Sequence, residues 1–199
     1  MLTFDHIAVG CETLKEGVAW VEEQLGVTME QGGQHAHFGT HNMLLGLGPD
    51  AYLEVIAKDP DAPATGRPTW FNLDNFTGPP RLCNWICATS DMAQLPEFSG
   101  ETVNLTRGTL SWQIAVLPDG SLPYHGAYPT LIKWGAGVTH PAKMLKDQGV
   151  RLESWSISHP SASNIAKQID VAGINVTWSD AQSAYVAEFS TPNGRKVLQ

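Results

Sequence analysis

The sequence predicts an α+β fold in which repeated βαβββ modules join into a curved, barrel-like mixed sheet around a cavity, with helices outside. Three observations lead there. The first 57 residues read as a strand, an amphipathic helix and three more strands. The composition then breaks at 58–80 into Asp, Pro, Gly and Thr. The same order of elements returns over 81–134, and again over 135–199. A unit of this kind cannot bury its open sheet face alone, so the three modules are expected to pack together as one compact domain.

Residues 2–9 form the opening strand, and strict alternation puts Ile7 and Val9 on one face and Phe4, His6 and Ala8 on the other. Thr13 with Glu16 three residues on makes a capping box. Leu14, Val18, Val21 and Leu25 then recur at helical spacing until Gly26 stops the run. Strands follow around 34–38 and over 40–47. The last strand of the module is 51–57, bounded by Gly48-Pro49-Asp50 and Asp59-Pro60. Within it Leu53 and Val55 share the face that can bury against a helix, while Tyr52, Glu54 and Ile56 share the other. The connection at 58–80 carries Trp70 and Phe71 and reads as an ordered loop anchored by aromatics. In the second module a strand at 82–89, a helix from Ser90 to about Phe98, and strands at 101–107, 109–117 and 128–134 are expected. The third has a short helix at 141–148, a strand at 150–158, a helix from Pro160 to Gly173, and strands near 174–178, 184–190 and 195–198, with Asn193-Gly194 as the last turn.

A formal charge of −8 and a pI near 5.2, with no basic run, exclude a nucleic-acid or anionic-membrane surface. There is no apolar run of membrane-spanning length and no basic, apolar leader, so a cytoplasmic protein is expected. Cys11, Cys83 and Cys87 fit no zinc-ribbon spacing. Cys83 and Cys87 lie roughly 13 Å apart on an extended chain, too far for a disulfide. No Gly-x-Ser-x-Gly, P-loop or dinucleotide fingerprint occurs, which leaves covalent hydrolysis, nucleotide hydrolysis and dinucleotide redox chemistry without support.

The run Phe4-Asp5-His6-Ile7-Ala8-Val9, the helix ending Glu22-Glu23-Gln24-Leu25-Gly26-Val27, Gly39-Thr40-His41-Asn42, Tyr52-Leu53-Glu54-Val55-Ile56-Ala57 and the closing Thr191-Pro192-Asn193-Gly194 resemble a glyoxalase-like domain protein of the vicinal oxygen chelate superfamily. The resemblance implies a small-molecule substrate or ligand and metal ligands on the first and last strands of each module. It also makes a homodimer an open assembly, because many relatives pair modules between chains. Carried onto this chain, those positions give His6 and Glu54, both on faces left open by parity. An imidazole and a carboxylate suit zinc, iron, manganese or nickel. If 81–134 supplies the partner half, Trp85 matches His6 and the position matching Glu54 falls near Thr130 or Leu131, which leaves a metal-free cavity. If 150–199 supplies it, Glu188 matches Glu54 and Ser156 matches His6, and His6, Glu54 and Glu188 become three ligands, Glu54 and Glu188 also moving protons.

Other residues bear on the cavity. His41 and Asn42 in the family-like turn, Tyr52, and the tryptophans Trp85, Trp112 and Trp134 are candidate cavity residues, and parity places Trp85 with Cys83 and Cys87. His35 and His37 share a strand face, but flanking glycines suggest a mobile loop. His140 and His159 precede prolines at helix starts and read as structural. Two functions follow. One is a metal-dependent isomerase, lyase or dioxygenase that grips two neighbouring oxygens. The other is a metal-free binding or drug-sequestering protein with a tryptophan-lined pocket.

Overall fold

A computed structural model describes residues 1–199. Its elements, in chain order, are β1 (Leu2–Gly10), α1 (Leu14–Leu25), β2 (Glu30–His35), β3 (Thr40–Gly46), β4 (Tyr52–Lys58), β5 (Arg81–Ala88), β6 (Glu101–Arg107), β7 (Leu110–Val116), β8 (Thr130–Trp134), β9 (Arg151–Ser158), α2 (Ala162–Ala166), β10 (Val171–Ala172), β11 (Val176–Ser179), β12 (Ala184–Thr191) and β13 (Gly194–Leu198).

The strands of 2–58 and 81–134 build one curled sheet in the order β2-β3-β4-β1-β5-β8-β7-β6, and β10 continues beside the start of β1. Each half runs outward from its own first strand, and the halves join where β1 pairs antiparallel with β5. A two-fold relation follows from the registers: His6 faces Ile86 while Ala8 faces Asn84. Ala8 also lies beside Glu54, as Ile86 lies beside Thr130. His6 therefore corresponds to Asn84, and Glu54 to Thr130.

The convex face of the first half carries Ile7, Val9, Leu53 and Val55 in one core with Val21 and Leu25 of α1. The helix begins as its sequence dictates, with Thr13 accepting a hydrogen bond from the Glu16 amide, and ends at Gly26 in the left-handed conformation that glycine tolerates. Over the second half the cover is different. A second sheet, β11-β9-β12-β13, brings Trp155, Ile157, Ala187, Phe189 and Leu198 into the same core as Trp85, Cys87 and Leu131.

Several expected elements differ. The helix over 90–98 is absent and only a single turn, Glu97–Ser99, forms. Pro96 interrupts the segment and no apolar stripe recurs at helical spacing, while the second sheet already covers the face such a helix would bury. The helix expected at 141–148 is the short turn Pro141–Lys143. The one expected from Pro160 to Gly173 is only α2, because Val171 and Ala172 pair with β1 instead. Residues 150–199 keep the order of a βαβββ module but not its pairing: β9 sits between β11 and β12 rather than at the edge of its sheet. Strand β2 starts earlier than expected and runs through Gly32 and Gly33, with a register shift between Gln31 and Gln34.

Candidate functional site

The concave face holds a second core, in which Ala8, Ile56, Ile86, Ile114 and Ile132 of the sheet meet Phe38, Trp70, Phe71 and Leu73. The last three belong to the 58–80 connection, which lies across the trough as an aromatic plug. What remains open is a cavity of about 30 Å³, room for one or two waters, over the first half of the sheet. His6, Glu54, Tyr52 and Asn42 line one side and Trp112, Trp134, Ile114 and Ile132 the other.

The floor depends on a β-bulge. Between Phe4 and His6, β1 advances two residues while β5 advances one, so Asp5 is an extra residue. Phe4 is thereby carried to the convex core, contrary to simple alternation, and Asp5 reaches the same cluster as His6. Asp5 Oδ1 lies 2.6 Å from His6 Nδ1, and Asp5 Oδ2 accepts from Trp134 Nε1 at 2.8 Å and lies 3.1 Å from His140 Nε2. The His140 Nδ1 atom accepts from the Ala142 amide, so its Nε2–H is the donor to Asp5. The other His6 nitrogen, Nε2, stands 3.6 Å from Glu54 Oε2, an ion-pair distance, and the ring stacks on Tyr52 with centroids 4.2 Å apart. Glu54 Oε1 accepts from Asn42 Nδ2 at 2.6 Å, and Asn42 in turn accepts from the Gly33 amide.

Burial alone would push His6 down, but the hydrogen bond and charge of Asp5, with those of Glu54, outweigh it and raise His6 to about 9. Burial likewise opposes ionisation of Asp5 and Glu54, yet the two histidines beside Asp5, and His6 beside Glu54, hold both carboxyls below the usual range. At neutral pH the row is Asp5 carboxylate, His6 imidazolium, Glu54 carboxylate. His35 is different: burial lowers it to about 4, so it is neutral, with Nδ1 on Thr40 Oγ1 and Nε2 receiving Arg107 Nη1 at 3.1 Å.

The structure brings together His6, Asn42, Tyr52, Glu54, Trp112 and Trp134 of the expected residues. Three others lie elsewhere. Glu188 sits on β12 in the second sheet, ion-paired with Arg195 and accepting from Ser154 Oγ. Trp85 is fully buried in the convex core, its Nε1 donating to the Ala127 carbonyl. Trp85 lies opposite the convex Ile7, one residue out of step with the cavity-facing Asn84, and a second bulge, where β5 advances from Asn84 to Leu82 while β1 moves one residue, makes Cys83 extra and parts it from Trp85 and Cys87. His41 pairs with Ala57 on β4 and points away from the cavity, 4.0 Å from Asp59. Asp5, His35 and Arg107 were not expected. His35, Gly32 and Gly33 belong to β2 rather than to a loop, whereas His37 and Gly39 lie in the turn that follows.

Of the four positions at which the resemblance implies metal ligands, two carry Asn84 and Thr130, which are buried and hydrogen-bonded to each other at 2.9 Å. The third expected ligand, Glu188, is in another sheet, and no cluster of three or more His, Cys, Asp or Glu side chains suited to a metal is present. Only His6 and Glu54 remain as ligands, fewer than the three that zinc or a related ion takes from protein, so these residues do not fit a divalent metal.

A curled sheet made of two βαβββ-like halves around a concave cavity is the architecture of the vicinal oxygen chelate superfamily. The sequence model of the glyoxalase-like domain family matches residues 4–172, and the chain belongs to that family. Over its whole length the fold is similar to the crystal structure of a hypothetical protein from Staphylococcus aureus, at 15% identity over 99% of this chain and 84% of that one, with a TM-score of 0.60. Weaker likenesses reach two methylmalonyl-CoA epimerases. The one from Streptomyces coelicolor, in complex with 2-nitronate-propionyl-CoA, is 16% identical over 71% of this chain and 100% of that one, TM-score 0.44. The one from Mycobacterium tuberculosis is 17% identical over 66% and 86%, TM-score 0.42. No curated protein sequence matches the chain. No helix is long and apolar enough to cross a membrane.

Proposed function

We propose that the protein is a small-molecule enzyme of the isomerase or lyase kind, which moves a proton on a carbon next to a carbonyl without a metal. Family membership supports a small-molecule enzyme or binding protein. The observation that carries the finer reading is the row Asp5, His6, Glu54, with a cation held between two carboxylates on the cavity floor. Glu54 is ionised and takes the proton from carbon; the electrons of that C–H bond move onto the carbonyl oxygen. The His6 Nε2–H donates to the enolate oxygen as charge develops there, in a site from which water is largely excluded. Asp5 keeps the imidazolium oriented, and Glu54 returns the proton to complete an isomerisation. A donor titrating near 9 stays charged throughout the neutral range, which suits holding an oxyanion.

The aromatic wall of Trp112 and Trp134 favours a second reading, a binding protein for an apolar ligand. One experiment separates the two. Small carbonyl compounds are incubated with the protein in deuterium oxide, and exchange at the carbon beside the carbonyl is followed by proton NMR. Exchange in the wild type that is lost at least a hundredfold in Glu54→Gln, and is indifferent to added zinc, iron, manganese or nickel, is the expected result. Tryptophan quenching with no exchange across the set would hand the site to the binding reading.

A further inference from the structure

The cavity shares one wall with a larger space. On the far side lies an open cleft of about 500 Å³, and His35, Arg107 and Trp112 line both. The wall is built where the two outermost hairpins meet: His35 ends β2 of the first half and Arg107 ends β6 of the second. Arg107 is the only Lys or Arg lining either space, and it pairs with no carboxylate; its contact is the neutral His35 ring, with the guanidinium carbon 6.0 Å from the Trp112 ring centroid. A guanidinium has five N–H donors in a planar fork, matched by a carboxylate far better than by a single imidazole nitrogen. Room for it is made deliberately: a Cβ on Gly33 would come within 2.9 Å of Arg107 Cδ and Nη1.

The charges on either side of the wall give a direction. The floor beneath presents His6 and Glu54 with Asp5 behind them, two carboxylates to one imidazolium, whereas the cleft is lined by one cation and no anion. A monoanion is therefore favoured in the cleft, with its head on Arg107 and its apolar body against Trp112 and Leu105.

We propose that Arg107 is the specificity residue of the site, and that the ligand is a small monocarboxylic acid with an apolar body whose carboxylate exchanges for His35 on the guanidinium. The inference builds on the proton-transfer reading for what the body of the acid undergoes, but recognition is read by binding alone.

The test uses phenylacetate and its neutral counterpart phenylacetamide, with binding measured by calorimetry and by tryptophan fluorescence. The wild type is expected to bind the acid at least about tenfold more tightly than the amide. Arg107→Gln should weaken the acid by about that factor and leave the amide unchanged, which also shows that the variant is folded. Arg107→Lys should recover part of the preference. Gly33→Ala, which keeps the charge but displaces the head group, should reduce it. Equal affinity for the two probes in the wild type, an equal loss of both in Arg107→Gln, or no binding of either up to about 10 mM overturns the proposal. A preference for the acid that depends on Arg107, in a protein that exchanges no deuterium, upholds the arginine and removes the proton-transfer reading. Exchange on a carboxylic acid that is unaffected by Arg107→Gln does the reverse.

Discussion

The two halves of the curled sheet share one scaffold and have opposite interiors. Where the first half places His6 and Glu54, with Asp5 behind them, the second places Asn84 and Thr130. The first pair is charged and lines an open cavity. The second is neutral, joined by its own 2.9 Å hydrogen bond with the Trp85 amide donating to Asn84 Oδ1, and absent from that cavity's lining. A bulge of the same kind precedes both, at Asp5 and at Cys83. The backbone therefore offers a polar pair on the concave face in either half, and side-chain chemistry alone decides whether that pair is charged or neutral. The charged pair is expensive to bury and the neutral one is not, so the first half carries the cost in stability that the proposed proton transfer would use.

Converting one half towards the other gives the largest expected effect. His6→Asn leaves two buried carboxylates without their shared cation and should cost about 3–5 kcal/mol in chemical denaturation. Adding Glu54→Thr makes the first half a copy of the second. The double variant should be more stable than the sum of the single losses by about 1 kcal/mol or more, since it removes the stranded Glu54 charge and leaves Asp5 with Trp134 and His140. Strict additivity would mean that His6 and Glu54 act independently, and the comparison would fail.

A smaller effect is expected from pH. His6 is raised from about 6.5 to about 9, so its contribution is complete below about 6.5 and drains away as pH climbs through 9. Asp5 and Glu54 are depressed; their contribution is present above about 4 and is lost as pH falls through their folded values. Melting temperature should thus decline by several degrees between about pH 7 and pH 10, and the His6→Asn/Glu54→Thr protein should show a flatter alkaline arm. Equal slopes in both proteins would place the alkaline loss outside the first half.

Much of this was legible in the sequence, and the failures share a cause. The run from Leu14 to Gly26 announced its helix through a capping box, an apolar stripe and a glycine stop, all of which are local. Glu54 announced itself as a carboxylate in an apolar strand. What alternation could not supply was the bulge, since an extra residue at Asp5 or Cys83 leaves no mark in composition yet reverses every parity beyond it. That is why Phe4 lies on the convex side, why Cys83 parts from Trp85 and Cys87, and why Asp5 escaped notice. Arg107 was hidden for another reason: it ends a strand of the second half and reaches His35 only once the sheet curls. The second sheet, replacing a helix over 81–134, follows from a long-range choice of partner that a reading of local periods does not contain.

The smallest expected effect concerns the two carboxylates that the sequence aligns with one another. Glu54 and Glu188 both sit mid-strand between small or apolar residues, and Tyr52-Leu53-Glu54 aligns with Val186-Ala187-Glu188. Their surroundings differ in one respect that decides their weight. Glu54 is 4% exposed and held by Asn42 and His6, whereas Glu188 meets solvent and is lowered first by Arg195, which is itself exposed, and then by Ser154. Water can replace either partner of Glu188 at little cost, so that pair is worth little. Glu188→Gln should leave the melting temperature within about a degree of wild type and leave phenylacetate affinity unchanged. Glu54→Gln, an equally conservative change, removes the charge that His6 faces and should abolish deuterium exchange. If Glu188→Gln weakened the ligand, the second sheet would have to reach the cavity, and the division between a reacting half and a supporting remainder would need to be redrawn.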